Sequence, residues 1–296
     1  MEDSEQSRVL VTGAAGMLGS QVLLSVPDGI DAVGTDMREA AGVEAVGFDL
    51  TGREQVGELF TKHGPFTGVI HAAAYTAVDK AEEDSDLAMR INRDATGILA
   101  EHCREAKIPM VLVSTDFVFD GRSNRPYLED DPTSPLSVYG STKLAGEEAA
   151  LRAHPGGVRI ARTQWLYGPR GKHFPGTMLQ LAEERSELKV VSDQVGSPTS
   201  TLELAPALWD VLHLSEAGIY NAACEGEASW YDFALAVFEE ADVEMNVEPC
   251  STSEFPRPAV RPANSVLDCS KLTAKRGKPL AEWRDALATF MGSGLA

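Results

Sequence analysis

Tyr139 and Lys143 stand four residues apart in "PLSVYGSTKLAGEEAA", positions 135–150. On a helix that spacing puts both side chains on one face, one turn apart. Upstream, "LVSTDFVFDG" closes an apolar, β-branched run with Ser114, Thr115 and Asp116. A ketone that accepts a hydride develops negative charge on oxygen, and a phenol can supply the proton if its pKa falls from about 10. A nearby ammonium favours the phenolate, and a threonine hydroxyl can add a hydrogen bond to the reacting oxygen. The three side chains are therefore candidates for hydride transfer coupled to proton transfer, with Lys143 also placed to hold a nicotinamide ribose. The Tyr/Lys spacing alone decides nothing, because many helices carry such a pair by chance.

The elements that must position this set are legible in outline. "RVLVTG" (8–13), "DAVGTD" (31–36), "TGVIHAAA" (67–74) and "IPMVLVSTD" (108–116) read as buried strands. A helix from about Gly16 to Val26 follows the first. The segment 85–107 repeats Leu87, Ile91, Ile98 and Leu99 at helical spacing. Strand and helix alternate, which implies parallel strands covered on both faces. Ligands of such a sheet bind at the carboxyl ends of the strands, where Thr115 and Asp116 fall. Beyond residue 170, segments 177–188, 201–214 and 230–241 read as helices, "LKVVSD" and "GIYNAA" as short strands, and 251–268 as a Pro-, Ser- and Arg-rich surface loop. The fold expected is α/β, a Rossmann-type doubly wound parallel sheet over residues 1–170. A smaller C-terminal substrate lobe is expected over 171–296, with room for some of its segments to return to the sheet.

The loop "VTGAAGMLGS" joins the first strand to the first helix. Gly13 suits the tight turn, Gly16 admits a pyrophosphate close to the backbone, and Gly19 lets helix pack on strand. Phosphates would face the amides of the helix N-terminus. Asp36 ends the second strand about twenty residues on, where a carboxylate binds the adenosine ribose and favours NADH. Arg38, two residues later, could meet a 2′-phosphate and keeps NADPH open. Asp49 and Leu50 are placed either to cover the adenine or to begin a helix.

The 296 residues include 43% hydrophobic and 24% charged side chains, which fits a globular protein with a substantial core. With 26 basic against 45 acidic residues the net charge is −19, a balance that disfavours nucleic acid and anionic membranes. No signal peptide or bilayer-length apolar run is read in the sequence, so the expected location is cytoplasmic. Cys103, Cys224, Cys250 and Cys269 have no metal-type spacing and read as reduced thiols; no metal site is expected.

The glycine pattern and Tyr-x-x-x-Lys resemble the extended short-chain dehydrogenase/reductases. More specifically, "HAAAYTAVDKAEED", "STDFVFDG", "PLSVYGSTKLAGE", "RTQWLYG", "DQVGSPTS", "WYDFA" and "RPANSVLD" resemble, in order and over about residues 8–290, the dTDP-4-dehydrorhamnose reductases. The resemblance implies NADPH- or NADH-dependent reduction of the C4 ketone of dTDP-4-dehydro-6-deoxy-L-mannose. Tyr139 would be the proton donor, Lys143 its modulator and Thr115 the tuning hydroxyl. It also implies nucleotide contacts at Gly16, Met17, Leu18, Asp36, Asp49, Leu50, Ala74, Tyr75 and Thr76, and sugar-nucleotide contacts at Thr115, Asp116 and Trp165. Phe117 and Gln164 depart from the family pattern, which has Tyr and Ser there. A homodimer is compatible with the resemblance; the acidic magnesium site of some relatives has no local motif here.

Simpler readings stand beside these. Trp165 fits a core aromatic, Asp116 a turn cap, and His71 a structural histidine. Arg257 and Arg261 are either solvated charges or phosphate ligands in an otherwise acidic chain. Related dehydratases place an Asp-Glu pair after the threonine, where this chain has Asp116-Phe117, and epimerases retain an unchanged cofactor. An alternative from another class is an NADP-binding regulatory subunit resembling the β subunit of methionine adenosyltransferase.

Overall fold

Short apolar runs separated by helices assemble into one seven-stranded sheet in a computed structural model, which describes residues 7–294. Residues 1–6, on which part of the N-terminal reading rests, lie outside the described residues. The strands are β1 (Ser7–Thr12), β2 (Ile30–Asp36), β3 (Val43–Val46), β4 (Gly68–His71), β5 (Met110–Thr115), β6 (Val158–Thr163) and the edge strand Gly218–Asn221. Their order is edge strand, β6, β5, β4, β1, β2, β3, and every neighbouring pair is parallel. The sheet is doubly wound, and its order reverses between β1 and β4, which opens a crevice at their carboxyl ends.

Alternation along the strands divides the core. Val9, Val11, Ile70 and Val111 face one side, with Leu204, Leu208 and Trp209 of the helix Thr201–Leu212. Leu10, Val69 and Leu112 face the other, with Val56 and Leu59 of α2 (Arg53–His63) and Leu99. Sandwiching helices on both faces explains why the strands read as apolar runs without a polar face.

Segments of the C-terminal third return to the sheet. The helix Thr201–Leu212 lies on α1 (Met17–Leu24), where the Trp209 indole donates to the Val22 carbonyl at 3.1 Å, and Gly218–Asn221 extends the sheet beyond β6. The remaining C-terminal elements include the helices Phe174–Glu184 and Trp230–Glu240 and the parallel pair Glu187–Val191 with Asn246–Cys250. The helix expected at 177–188 begins earlier and ends sooner. His173 caps it by accepting from the Gly176 amide, Pro175 suits its first turn, and Glu187 already belongs to a strand.

β6 escapes sequence reading because Arg159 and Arg162 interrupt "VRIART". Both are buried and satisfied. Arg159 donates to the carbonyls of Leu214 and Gly157, and Arg162 makes a bidentate pair with Glu147. A charged residue inside a strand is tolerated when its hydrogen bonds are met.

Candidate active site

A cleft of about 600 Å³ runs along the carboxyl edge of the sheet from the glycine loop to Tyr139 and Trp165. Gly13 has φ +70°, and a Cβ there would lie 2.7 Å from the Ala73 amide nitrogen. The loop after β1 therefore touches the turn after β4, and only glycine fits both the conformation and the space. Gly19 is as constrained, since its Cβ would meet the Gly13 carbonyl oxygen at 2.2 Å.

Asp36 points back at this loop: its carboxylate accepts from the Ala15 and Arg38 amides at 3.1 Å each. Arg38 lies 3.5 Å from the same carboxylate with 71% of its side chain exposed, free to turn toward a phosphate. Gly16, Met17, Leu18, Asp49, Leu50, Ala74 and Thr76, which the resemblance gives as nucleotide contacts, line the cleft. Tyr75 is not among the residues that line it; its hydroxyl donates to Asp84 at 2.9 Å, while its backbone belongs to the turn.

That backbone exposes a residue that sequence reasoning missed. Asn92 is buried in a π-helical turn, Arg90–Asp94, between α3 (Ser85–Met89) and α4 (Ala95–Ala106). Its side chain accepts from the Tyr75 amide at 2.8 Å and donates to the Tyr75 carbonyl at 3.2 Å and the Thr142 hydroxyl at 3.0 Å. One amide thus ties the 74–76 turn to α5 (Val138–Ala153), the helix that carries Tyr139 and Lys143. π-turns inside α-helices often mark functional sites, but no periodicity in "RINRD" announces one.

His71 is structural, as its position suggests. Thr96 gives its proton to the Asn92 carbonyl and so accepts from His71 Nε2 at 3.1 Å, while Thr12 donates to Nδ1 at 2.7 Å. Burial, and secondarily the charge of Lys143, push the imidazole down to about 3, so it is neutral at physiological pH.

Ser137 caps α5 by accepting from the Gly140 amide at 3.2 Å, and this start sets Tyr139 and Lys143 over the end of β5. The Lys143 ammonium donates to the Val113 carbonyl at 2.7 Å. Burial lowers its pKa to about 8, with Glu147 opposing the shift. Tyr139 is pushed up to about 12: burial dominates, the adjacent Thr115 hydroxyl pulls the other way, and the Asp116 charge adds to the rise. Burial outweighs the lowering by Thr115 in this arrangement, in which the Lys143 ammonium is bonded to β5. Tyr139 is thereby held as a neutral acid, which is the form a proton donor needs.

Thr115, beside Tyr139, is also tied to its own turn. Its hydroxyl donates to Asp116 Oδ1 at 3.0 Å and accepts from the Phe117 amide at 3.2 Å. Asp116 is 1% exposed, and its Oδ2 has no hydrogen-bond partner among the described residues. Burial raises this carboxyl to about 6, with Ser265 and Thr115 restraining the rise. Asp116 lines the cleft, although Oδ2 itself is closed to solvent.

Trp165 adopts φ +48°, an uncommon left-handed backbone for so bulky a residue. Its ring stacks on Trp230, with centroids 3.6 Å apart and planes 5° from parallel. The left-handed backbone and the stack together hold the indole between the core and the cleft wall. Beneath the site Glu147 pairs with Arg162 at 2.7 Å, both 2% exposed, and also accepts from Ser114 at 2.5 Å. This buried pair joins α5, β5 and β6. Arg261 does not stand free in the loop: Asp79 holds it in a bidentate pair at 2.9 and 3.1 Å.

A doubly wound sheet with a glycine loop at its switch point, and with Thr115, Tyr139 and Lys143 on one cleft, defines a reductase of the short-chain dehydrogenase/reductase type. The family model described as the RmlD substrate binding domain matches residues 7–294, and the chain belongs to that family. It is 39% identical to a dTDP-4-dehydrorhamnose reductase of Streptomyces griseus, a match that covers 97% of this chain and 94% of the relative. A dTDP-4-keto-6-deoxy-D-glucose reductase of Streptomyces niveus is 35% identical, with 95% of each chain covered. The solved dTDP-4-dehydrorhamnose reductase of Bacillus anthracis, in complex with NADP, superimposes with a TM-score of 0.90 at 34% identity, covering 97% of this chain and 99% of that one.

Proposed function

We propose that this protein reduces the C4 ketone of a dTDP-4-keto-6-deoxy sugar, dTDP-4-dehydrorhamnose in the first instance, with NADPH or NADH as reductant. The observation that carries the reading is the placement of Tyr139 at the carboxyl edge of β5, beside Thr115 and one turn from the buried Lys143, all on one cleft. The glycine cradle at Ala73, the Asp36 carboxylate beneath it and the cleft that continues to Tyr139 fit a dinucleotide along its length. When bound, the reduced nicotinamide supplies the hydride.

The chain's own groups do the rest. Trp165 and Asp116, both on the cleft wall, orient the sugar. Tyr139 gives its hydroxyl proton to the oxygen that becomes negative as the ketone is reduced. Thr115 and Lys143 then stabilise the phenolate. Lys143 can exchange its bond to Val113 for one to a ribose hydroxyl, with its positive charge remaining near Tyr139. Similarity to a reductase of another 4-keto sugar keeps the exact sugar to be decided by assay. No group of His, Cys, Asp and Glu suited to a metal ion occurs among the described residues, and the proposed chemistry invokes none. No helix among them is long and apolar enough to cross a membrane, which agrees with the proposed cytoplasmic location.

The test is to mix the protein with NADPH, and separately NADH, and several 4-keto sugar nucleotides, following the absorbance of the reduced nicotinamide. Turnover should fall by roughly 10²–10⁴-fold in Tyr139→Phe, the usual worth of a positioned acid, while cofactor affinity is kept. Absence of turnover with every 4-keto sugar nucleotide would overturn the reading, and capture of a methionine adenosyltransferase would then favour the regulatory alternative.

A further inference from the structure

Beyond the cleft lies a second cavity, a groove of about 1050 Å³ between the helix Phe174–Glu184, the strand Glu187–Val191 and the loop 251–268. The two are divided by two contacts. One is the Trp165–Trp230 stack, with Trp165 on the cleft and Trp230 on the groove. The other is the pairing of Asp79 with the loop arginines. Val78 lines the cleft while Ala259 and Arg261 line the groove, so Asp79 sits at the junction.

The geometry at Asp79 is specific. Its two oxygens each take one arm of the Arg261 guanidinium, at 2.9 and 3.1 Å, and Oδ1 also accepts from the Ala259 amide at 3.3 Å. Arg261 in turn donates to the Ala259 carbonyl at 3.0 Å, so loop backbone and side chain are fixed by one carboxylate. Arg257 lies 3.9 Å from Asp79 Oδ2, and its guanidinium sits 5.2 Å from the Phe255 ring centre. The Arg261 side chain is 22% exposed, whereas that of Arg257 is 53% exposed. Asp79 belongs to the segment after β4 and the arginines to a loop some 180 residues later, as the separations of 180 and 182 record. The carboxyl pKa of Asp79 is held down, chiefly by its hydrogen bond to Arg261, so the clasp is ionised over the working range.

We propose that Asp79 is a positioning residue for the sugar nucleotide: by clasping Arg261 and Ala259 it fixes the loop 251–268 so that Arg257 and Arg261 present cations where a diphosphate passes from cleft to groove. The inference rests on the dTDP-sugar reading. A planar guanidinium held by a carboxylate on one edge is oriented for an anion on the other, and ordering the loop beforehand removes an entropy cost from binding. Asp79 would therefore favour diphosphate binding even though its own charge is negative.

The experiment measures Kd for dTDP, thymidine and NADPH with the full chain, using the fluorescence of the tryptophans, for wild type and Asp79→Asn. The asparagine keeps the shape and loses the charge that holds both arms. Affinity for dTDP should fall about tenfold, the scale of one charge-assisted hydrogen bond. Thymidine and NADPH affinities should stay within about twofold, which a general loss of structure would not allow. Asp79→Glu, which can re-form the pair, should recover part of the loss. If dTDP binds wild type and Asp79→Asn equally, or binds the variant more tightly, the clasp is overturned and the dTDP reading stands. If wild type does not bind dTDP, both fall. Equal losses for dTDP and thymidine would also overturn the assignment, because the effect would not lie at the phosphates.

Discussion

At the scale of single residues, the site keeps its acid neutral and leaves its cation adjustable. Tyr139, at about 12, stays protonated through the working range, so it sets no limb of a pH profile below about pH 10. On the alkaline side Lys143 is the group that titrates, whereas Asp116, raised to about 6, acts at the acid end. The Lys143 pKa is lowered by burial to about 8, so the ammonium is present below that pH and lost as pH rises through it. The expected result is a kcat/KM that falls on the alkaline side with an apparent pKa near 8, since that ratio reports the free enzyme. Initial rates from pH 6 to 10 check it, and a profile flat to pH 10 would contradict the assigned role of Lys143. That Tyr139, Lys143 and Thr115 meet at one strand end was legible in the sequence, because helix spacing and strand-end position are local. Their electrostatic states were not. Burial and the Val113 carbonyl come from β5, which no spacing in α5 reveals.

At the scale of elements, the catalytic helix is placed by close approach. A Cβ on Gly146 would stand 2.3 Å from the Asn92 carbonyl oxygen, so α5 rests directly on the π-helical turn that holds Tyr75. Gly146→Ala must push the two apart. It is expected to destabilise by about 1–3 kcal/mol, the cost of overpacking, and to weaken cofactor binding through the 74–76 turn. Gly97 in α4 is the control. Its Cβ would meet Ala149 at an ordinary 3.5 Å, so Gly97→Ala should leave stability unchanged or raise it by up to about 1 kcal/mol through helix propensity. Urea denaturation of both variants gives the comparison; equal effects would remove the contact from the account. Sequence reading found the strands that end in the site, but not β6, Asn92 or the contact at Gly146. Strands buried on both faces announce themselves as apolar runs. A strand with two paired arginines, a π-turn and a helix-to-helix approach depend on partners 15 to 55 residues away.

At the scale of the whole molecule, a chain of net charge −19 has to admit two anions, the dinucleotide and the sugar nucleotide. Its long-range field opposes their approach, while the cations that would receive them are few and local: Arg38 and Lys143 on the cleft, Arg257 and Arg261 at its junction with the groove. The two effects differ in range. Exposed charges more than about 10 Å away are screened at 0.1 M salt, whereas a guanidinium in direct contact with a phosphate is screened much less. Adding salt at first removes more repulsion than attraction. We therefore expect kcat/KM for the dTDP sugar to rise, by about two- to fivefold, between 10 and 150 mM sodium chloride, and to fall only at higher concentrations. Arg257→Ala should lower the whole curve and flatten its fall, because the local contact that high salt weakens is gone. Initial rates across the salt series decide the matter. A monotonic fall from the lowest salt would mean that the basic residues at the junction dominate the approach, and that the acidic surface is arranged to leave the path of the anions clear.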